Sequence, residues 1–372
     1  MAKKGIEQEL LDAQNAWEGG KVQEAMNILN RLRATAPLVH EVGYGWCHLA
    51  LRMGQPEAVP AYAAQLYAAE RAPLKRAGWA RFAGAASFKM IRLEDAVRDY
   101  TVGLAHCCEA AENGKAPARQ EKTGHAPMFA DGTADALLWR IAAELAAAGF
   151  QAFPHAGTLL GLVREGCLLR NDKDVDLAIW IEDFEACCSH LLANGWKAVN
   201  DHLPYSNFRS FVDPKTRLVV DMCGMRREPE RQRMLSGFFL DKQPPEYQRV
   251  TVYPWLTLAL RDSPAGQVWF PDKPEELLEA LYGDWRTPNA EWDTIISACN
   301  LERFTLQVRA YAYNRLLDYW LQGQLDRAYQ YARQILQKDA DDLVVIRAHA
   351  VLAAIQSSSG TVPSAKAAVR RA

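Results

Sequence analysis

The seven residues Asp174-Val175-Asp176-Leu177-Ala178-Ile179-Trp180 constrain this chain more than any other stretch. In a strand, successive side chains alternate between the two faces. Val175, Leu177 and Ile179 therefore point one way, into a core, while Asp174 and Asp176 point the other way, side by side. Two carboxylates adjacent on one sheet face repel each other. An oxygen-preferring divalent cation removes that cost. Mg²⁺ (or Mn²⁺) suits such a site, because it takes one or two carboxylates and completes its shell with substrate phosphates. The pair alone is weak evidence, since a solvated sheet edge would also explain it.

The surroundings strengthen it. Arg217-Leu218-Val219-Val220-Asp221-Met222 puts one acid inside an apolar strand, 45 positions (221 − 176) beyond Asp176. A carboxylate flanked in this way is costly to bury without a partner, and the same metal site is the economical one. Upstream, Ala156-Gly157-Thr158 lies between a short strand, Phe150–Phe153, and a helix, Thr158–Arg164. Glycine lets a phosphate approach the backbone, and a helix N-terminus offers free N–H groups and a favourable dipole. Thr158 can cap the helix or bind phosphate. Arg164 can reach back as a bidentate phosphate partner, and Lys173 adds positive charge. A small-residue turn, then two acids in one strand, then one acid in another, is the order expected of a nucleotidyltransferase fold.

On either side the texture is helical. Residues 1–112 are Ala-rich. Gly19-Gly20 precedes a helix holding Ala25, Gly54 precedes one holding Ala58, and a third segment centres on Ala96 without a turn glycine. The alanine spacings of 33 (58 − 25) and 38 (96 − 58) approximate the ~34-residue tetratricopeptide (TPR) repeat. An irregular helical bundle would also fit. Residues 299–372 repeat the theme at Gly323 and Ala328, ending in a small, polar tail. Residues 113–128 are rich in Gly, Pro, Lys and Glu and form a linker, with His125 a loop residue. The domain between, residues 129–298, opens with a helix whose Ala134, Leu138, Ile141, Leu145 and Ala148 share one face and which Gly149 stops. The fold class is α+β: one catalytic domain flanked by TPR-like helical segments.

Gly157-Thr158-Leu159-Leu160-Gly161-Leu162-Val163-Arg164-Glu165-Gly166, followed by Asp172-Lys173-Asp174-Val175-Asp176-Leu177, resembles the signature of the LicD/fukutin family. The segment 274–288, with Tyr282, Gly283 and Trp285, resembles that family's second signature. The resemblance spans about residues 131–293. Family members often carry three consecutive acids where this chain has Asp172-Lys173-Asp174, so Asp172 is not carried over as a ligand. The resemblance implies transfer of a phosphate-linked group, phosphocholine or a polyol phosphate such as ribitol or glycerol phosphate. The donor would be CDP-linked, the acceptor a sugar hydroxyl of a cell-surface glycan, and CMP would be released. It carries over Gly157, Thr158, Arg164, Asp174, Asp176 and Asp221 as site residues. Asp174, Asp176 and Asp221 would hold metal, with Asp221 alternatively taking the acceptor's proton. A turn at Tyr282-Gly283 can equally be structural.

Composition narrows the partners. The formal net charge of −2 gives no sign of a nucleic-acid partner. The N-terminus lacks a secretory h-region, and no apolar run suggests an integral membrane segment. The expectation is a cytoplasmic protein working at the inner face of the membrane. The eight cysteines, with Cys107-Cys108 and Cys187-Cys188 as adjacent pairs, show no CxxC spacing and read as buried thiols. Trp180, Tyr205, Phe208, Tyr247, Tyr253, Trp255, Trp269 and Trp285 crowd the central domain, most of them as core. Two other readings compete: an NMP-transferring nucleotidyltransferase acting on a small molecule or a protein, and a TPR-like scaffold with an inactive catalytic domain. Retention of all three acids argues against the second. The helical segments would dock a protein partner or the acceptor glycan.

Overall fold

The computed structural model describes residues 2–120, 129, 132–199 and 204–358. His125 and the tail beyond residue 358 lie outside the described residues. The chain divides into two compact units, Met1–Lys122 with Arg309–Ala372, and Thr123–Val308. The divisions thus fall at 122/123 and 308/309, where composition puts them at 128/129 and 298/299.

The first unit opens with α1 (Ala2–Glu18), α2 (Val22–Thr35), α3 (His40–Arg52), α4 (Val59–Ala69), α5 (Pro73–Lys89) and α6 (Leu93–Glu112). One turn recurs. Gly20, Gly54 and Ile91 take left-handed φ values of 73°, 68° and 59°. After each, an N–H closes the preceding helix: Lys21 to Ala16, Gln55 to Ala50, Arg92 to Ser87, at 2.8–2.9 Å. This is the glycine-type helix stop. The third turn, which has no glycine, is made by Ile91 in a conformation that costs a β-branched residue about 1–2 kcal/mol. Five residues beyond each turn stands a fully buried small or branched residue, Ala25, Val59 or Ala96. Ala58, expected inside a helix, is exposed at the end of a 3₁₀ turn, Pro56–Ala58, so Val59 occupies the close-packed position.

The second unit holds α7 (Thr133–Ala147), α8 (Ala156–Arg164), α9 (Phe184–Ala193) and α10 (Pro274–Tyr282). Its strands are β1 (Phe153–Pro154), β2 (Asp174–Trp180), β3 (Lys197–Val199), β4 (Phe208–Val212), β5 (Val219–Glu228), β6 (Arg233–Phe238), β7 (Arg249–Pro254), β8 (Leu258–Ser263) and β9 (Gly266–Pro271). The main sheet runs β1-β2-β5-β4-β3, with β6 and β7 extending from β5, and β8-β9 form a separate hairpin. β2 and β5 are parallel neighbours. Period-2 alternation holds at the start of β2, where Val175, Leu177 and Ile179 are fully buried against α7 and α9 residues such as Leu138 and Cys187. Beyond Asp176 the other face is also covered: Ala178 and Trp180 join Phe153, Leu159, Leu278 and Trp285 in a second cluster. β2 is thus buried on both faces beyond Asp176. This is the α+β architecture that the sequence predicts.

The last helices, α11 (Leu306–Leu321), α12 (Leu325–Lys338) and α13 (Leu343–Ser358), return to the first unit. Gly323 (φ 71°) repeats the same turn, and Ala328 is fully buried five residues on. The Gly323 carbonyl accepts the Gln120 N–H at 2.8 Å, so the first part of the linker is bound to this turn. The two helical ends of the sequence share one unit. Among the described residues no helix is long and apolar enough to cross a membrane. All eight cysteines are free; five are buried, Cys167 and Cys223 are half-buried, and Cys299 is exposed.

Candidate active site

The site forms where β2, β5 and α8 meet. The β2–β5 register pairs Asp176 directly with Asp221 and Asp174 with Val219. Neighbouring strands lie about 4.8 Å apart, so the Asp176 and Asp221 side chains stand abreast on one face. The alternation in β2 sets Asp174 beside them. Asp172, in the loop before β2, completes the group. A β-carbon added to Gly157 would lie 2.7 Å from Asp172 Oδ2 and 3.2 Å from Asp176 Oδ2. Glycine is therefore needed at 157 to let both carboxylates close on the α8 N-terminus.

Four acids gathered this way raise one another's proton affinity. Burial and Asp174 push the Asp172 carboxyl up to about 6. Burial and Asp174 push Asp221 up to about 7, with Ser210 of β4 partly offsetting. Asp176 lies well above the ordinary carboxylate range through burial and the charges of Asp174, Asp221 and Asp172. Asp174 is raised by burial and eased by Lys173, which is itself exposed. Asp172 Oδ2 and Asp221 Oδ1 are buried with no hydrogen-bond partner. Such orphaned acceptors are costly to leave without a donor or a cation. Among the described residues no group of three or more His, Cys, Asp or Glu side chains stands arranged to hold a metal ion. The donor set, hard carboxylate oxygens with two of them unpartnered, nonetheless suits Mg²⁺ or Mn²⁺.

Around this group the second row is fixed. Gly157 N–H donates to Asp176 Oδ2 at 3.1 Å, and Asp176 N–H donates to Thr158 Oγ1 at 2.8 Å. Thr158 is fully buried. Sequence reasoning assigns it to capping or phosphate, but the structure uses its hydroxyl to bind β2 to α8. The Gly157 N–H, likewise expected to face phosphate, is engaged by Asp176. Ala156 sits at φ 43°, a left-handed conformation uncommon outside glycine. His155 precedes it as the N-cap residue, buried, with Nδ1 unpartnered and its ring 5.5 Å from Tyr253. Burial lowers its pKa to about 4, so it is neutral near pH 7.

Arg164 ends α8. Its guanidinium donates to the Trp285 carbonyl at 3.2 Å and pairs with Glu165 at 3.0 Å. It thereby ties the first signature to the second, and its charge favours ionised Asp172. Tyr282 ends α10, its ring 4.7 Å from Trp292; its hydroxyl is raised by burial and by the charges of Asp176 and Asp172. Gly283 follows at φ 67°, and Trp285 is buried. The structure therefore brings together Gly157, Thr158, Arg164, Asp174, Asp176 and Asp221, with Lys173 at the rim. It adds Asp172 and His155. The short range from Asp172 to Gly157 was not legible, because it depends on how the loop before β2 folds back.

Residues 149–258 match the model of the LicD/FKTN/FKRP nucleotidyltransferase domain. No curated protein matches the sequence. Among solved structures, the chain is similar to the lincosamide antibiotic adenylyltransferase LnuA, lincomycin-bound. That likeness has 11% identity and a TM-score of 0.28, and it covers 38% of this chain and 82% of that one. The match takes in α8, β2 and β5 but stops before the 274–288 segment. The part of the chain that carries Asp172, Asp174, Asp176 and Asp221 therefore matches the LicD/FKTN/FKRP nucleotidyltransferase domain over residues 149–258.

Proposed function

We propose that the second unit transfers a phosphate-linked group, phosphocholine or a polyol phosphate, from a CDP-activated donor to a sugar hydroxyl of a glycan, releasing CMP. The observation that carries this reading is the pairing of Asp176 with Asp221 across parallel strands, beside Asp174 and Asp172, with two buried oxygens unpartnered. The donor pyrophosphate is anionic, so its transfer needs positioning and charge neutralisation more than covalent help. Asp174, Asp176 and Asp221 would hold the cation, with Asp172 adjoining. When bound, Mg²⁺ or Mn²⁺ supplies charge neutralisation at the pyrophosphate oxygens.

The remaining work falls to the chain itself. Asp221 would hold the cation or, as the alternative, take the acceptor hydroxyl's proton. Arg164 offsets negative charge beside Asp172 and holds the Tyr282–Trp285 turn against α8. Thr158 and Gly157 fix Asp176 through the two hydrogen bonds to its backbone and side chain. We assign the helical unit to docking of the acceptor or a partner protein.

The test is incubation of the full chain with CDP-choline, CDP-ribitol or CDP-glycerol, a glycan acceptor and Mg²⁺, following CMP. CMP release that depends on the cation and on Asp174 supports the reading. Pyrophosphate release from a nucleoside triphosphate, with no CMP from any CDP donor, would replace it with NMP transfer.

A further inference from the structure

The N-terminal half of α10 borders a concavity of about 210 Å³ that the catalytic reading does not use. Leu256 and Leu277, both nearly fully buried, form its apolar floor, and Trp255 is half-buried in its wall. Thr257, Lys273 and Glu276 supply polar groups at the edge. These groups are exposed and hydrogen-bonded to their neighbours. The Lys273 ammonium donates to the Glu276 carboxylate at 2.8 Å. Thr257 Oγ1 donates to Asp272 Oδ2 at 2.8 Å, and the Asp272 N–H donates back to the Thr257 carbonyl at 3.0 Å. The loop after β7 and the segment before α10 are thus tied to each other.

Size decides what could sit there. Pockets that enclose drug-sized ligands run to roughly 300–1,000 Å³, so this one is too small for a CDP-linked donor and suits one sugar ring. The chemistry agrees. An indole face covers the C–H face of a pyranose, while a carboxylate and an ammonium side by side accept from and donate to vicinal hydroxyls. The position agrees as well. Glu276 and Tyr282 are six residues apart on one helix, about 9 Å along its axis. Tyr282 is the end that feels Asp172 and Asp176. A short oligosaccharide spans that distance.

We propose that this concavity is an acceptor subsite that holds one pyranose ring of the glycan, with Trp255 as its platform and Glu276 and Lys273 as its hydroxyl partners. The proposal rests on the glycan-modifying reading above. The test uses the full chain in two measurements. Saturation-transfer NMR with methyl glycosides of common hexoses and N-acetylhexosamines reports sugar binding. CMP release from the CDP donors, with and without glycan, reports chemistry. Trp255→Ala should abolish the saturation signal and raise the acceptor KM about tenfold. Trp255→Phe should keep most of both. Glu276→Gln, on an exposed turn of α10, should weaken binding without disturbing the fold. A signal equal in wild type, Trp255→Ala and Glu276→Gln would overturn the subsite, and CMP release would then still stand for the reading. Equal loss of glycan transfer and of donor hydrolysis by water in Trp255→Ala would also overturn it, making Trp255 a packing residue. A Trp255-dependent sugar signal with no CMP from any donor would uphold the subsite and overturn the transfer reading.

Discussion

The candidate site and the rest of the molecule treat a buried acid in opposite ways. In the helical unit Asp342, 5% exposed, accepts from the Tyr313 hydroxyl at 2.7 Å and from the Val345 N–H at 3.1 Å, and it pairs with Arg309. Away from the site in the second unit, Asp213 is fully buried and equally well served. It accepts from Arg140 at 2.8 Å and from the Thr216 N–H and hydroxyl at 2.8 and 2.7 Å. Burial pushes the Asp213 carboxyl up, but the Thr216 and Arg140 bonds outweigh it and leave it below its ordinary value. Asp172 and Asp221, half-buried, each keep one buried oxygen without a partner, and both rise, Asp221 despite its hydrogen bond with Ser210. The residue type is the same throughout. What separates structure from site is whether the fold supplies the positive or donating partner.

Four tests would break or sharpen that contrast. The largest effect is expected within the acid cluster. Asp176→Asn should lower CMP release on the order of 10²–10³-fold, the usual cost of removing one preorganised electrostatic contact. It should also raise the denaturant midpoint at pH 8, since a carboxylate repelled by three others is gone. A fall in that midpoint would mean Asp176 is structural. Asp342→Asn should do the reverse in the helical unit, costing about 2 kcal/mol of stability by removing charged hydrogen bonds and leaving donor hydrolysis intact.

The third test is pH. The Asp172 and Asp221 carboxyls sit at about 6 and 7 in the folded chain, above the ordinary value of 3.8. Between those limits the folded state binds more protons than the unfolded one, so stability falls as pH rises. His155, lowered to about 4, acts with the opposite sign over part of this window, so the test is the difference between proteins. From pH 4 to pH 7 the Tm of the metal-free wild type should fall relative to that of Asp221→Asn, and Mg²⁺ should restore it at pH 8. A constant difference across that window would remove the electrostatic argument. The smallest effect concerns the helix stops. Gly20→Ala meets open space and should cost only about 1 kcal/mol for its left-handed φ. Gly323→Ala should cost more, because the new β-carbon would lie 2.1 Å from the Ala118 carbonyl oxygen. Equal melting temperatures of the two variants would show that the linker does not rest on that turn.

How much of this was legible follows from the range of the interactions. The β2 alternation is local, and it located Asp174, Asp176 and the Val175-Leu177-Ile179 face correctly. The apolar frame around Asp221 was equally local. Asp172 was set aside because Lys173 interrupts the acid run. Yet its inclusion depends on the loop before β2 folding back against Gly157, which no pattern in that stretch encodes. Thr158 was read as a helix cap or a phosphate ligand because its position after Gly157 suits either. Its burial became visible only once β2 packed on α8. In the helices, alanine was taken as the repeat marker, whereas the left-handed turn residue is the regular feature. Its spacings are 34 (54 − 20) and 37 (91 − 54). Ile91 hid the third turn, because sequence rules expect glycine there.

The central proposal is that the four acids hold a divalent cation and are not a misfit in the core. Mn²⁺ titration of the full chain at pH 8, followed by calorimetry and by the electron paramagnetic resonance of free Mn²⁺, tests it directly. The account predicts saturable uptake by wild type, weakened about tenfold or more in Asp174→Asn and Asp176→Asn, and unchanged in Asp342→Asn. Uptake that is absent in wild type, or identical in all four proteins, would contradict it.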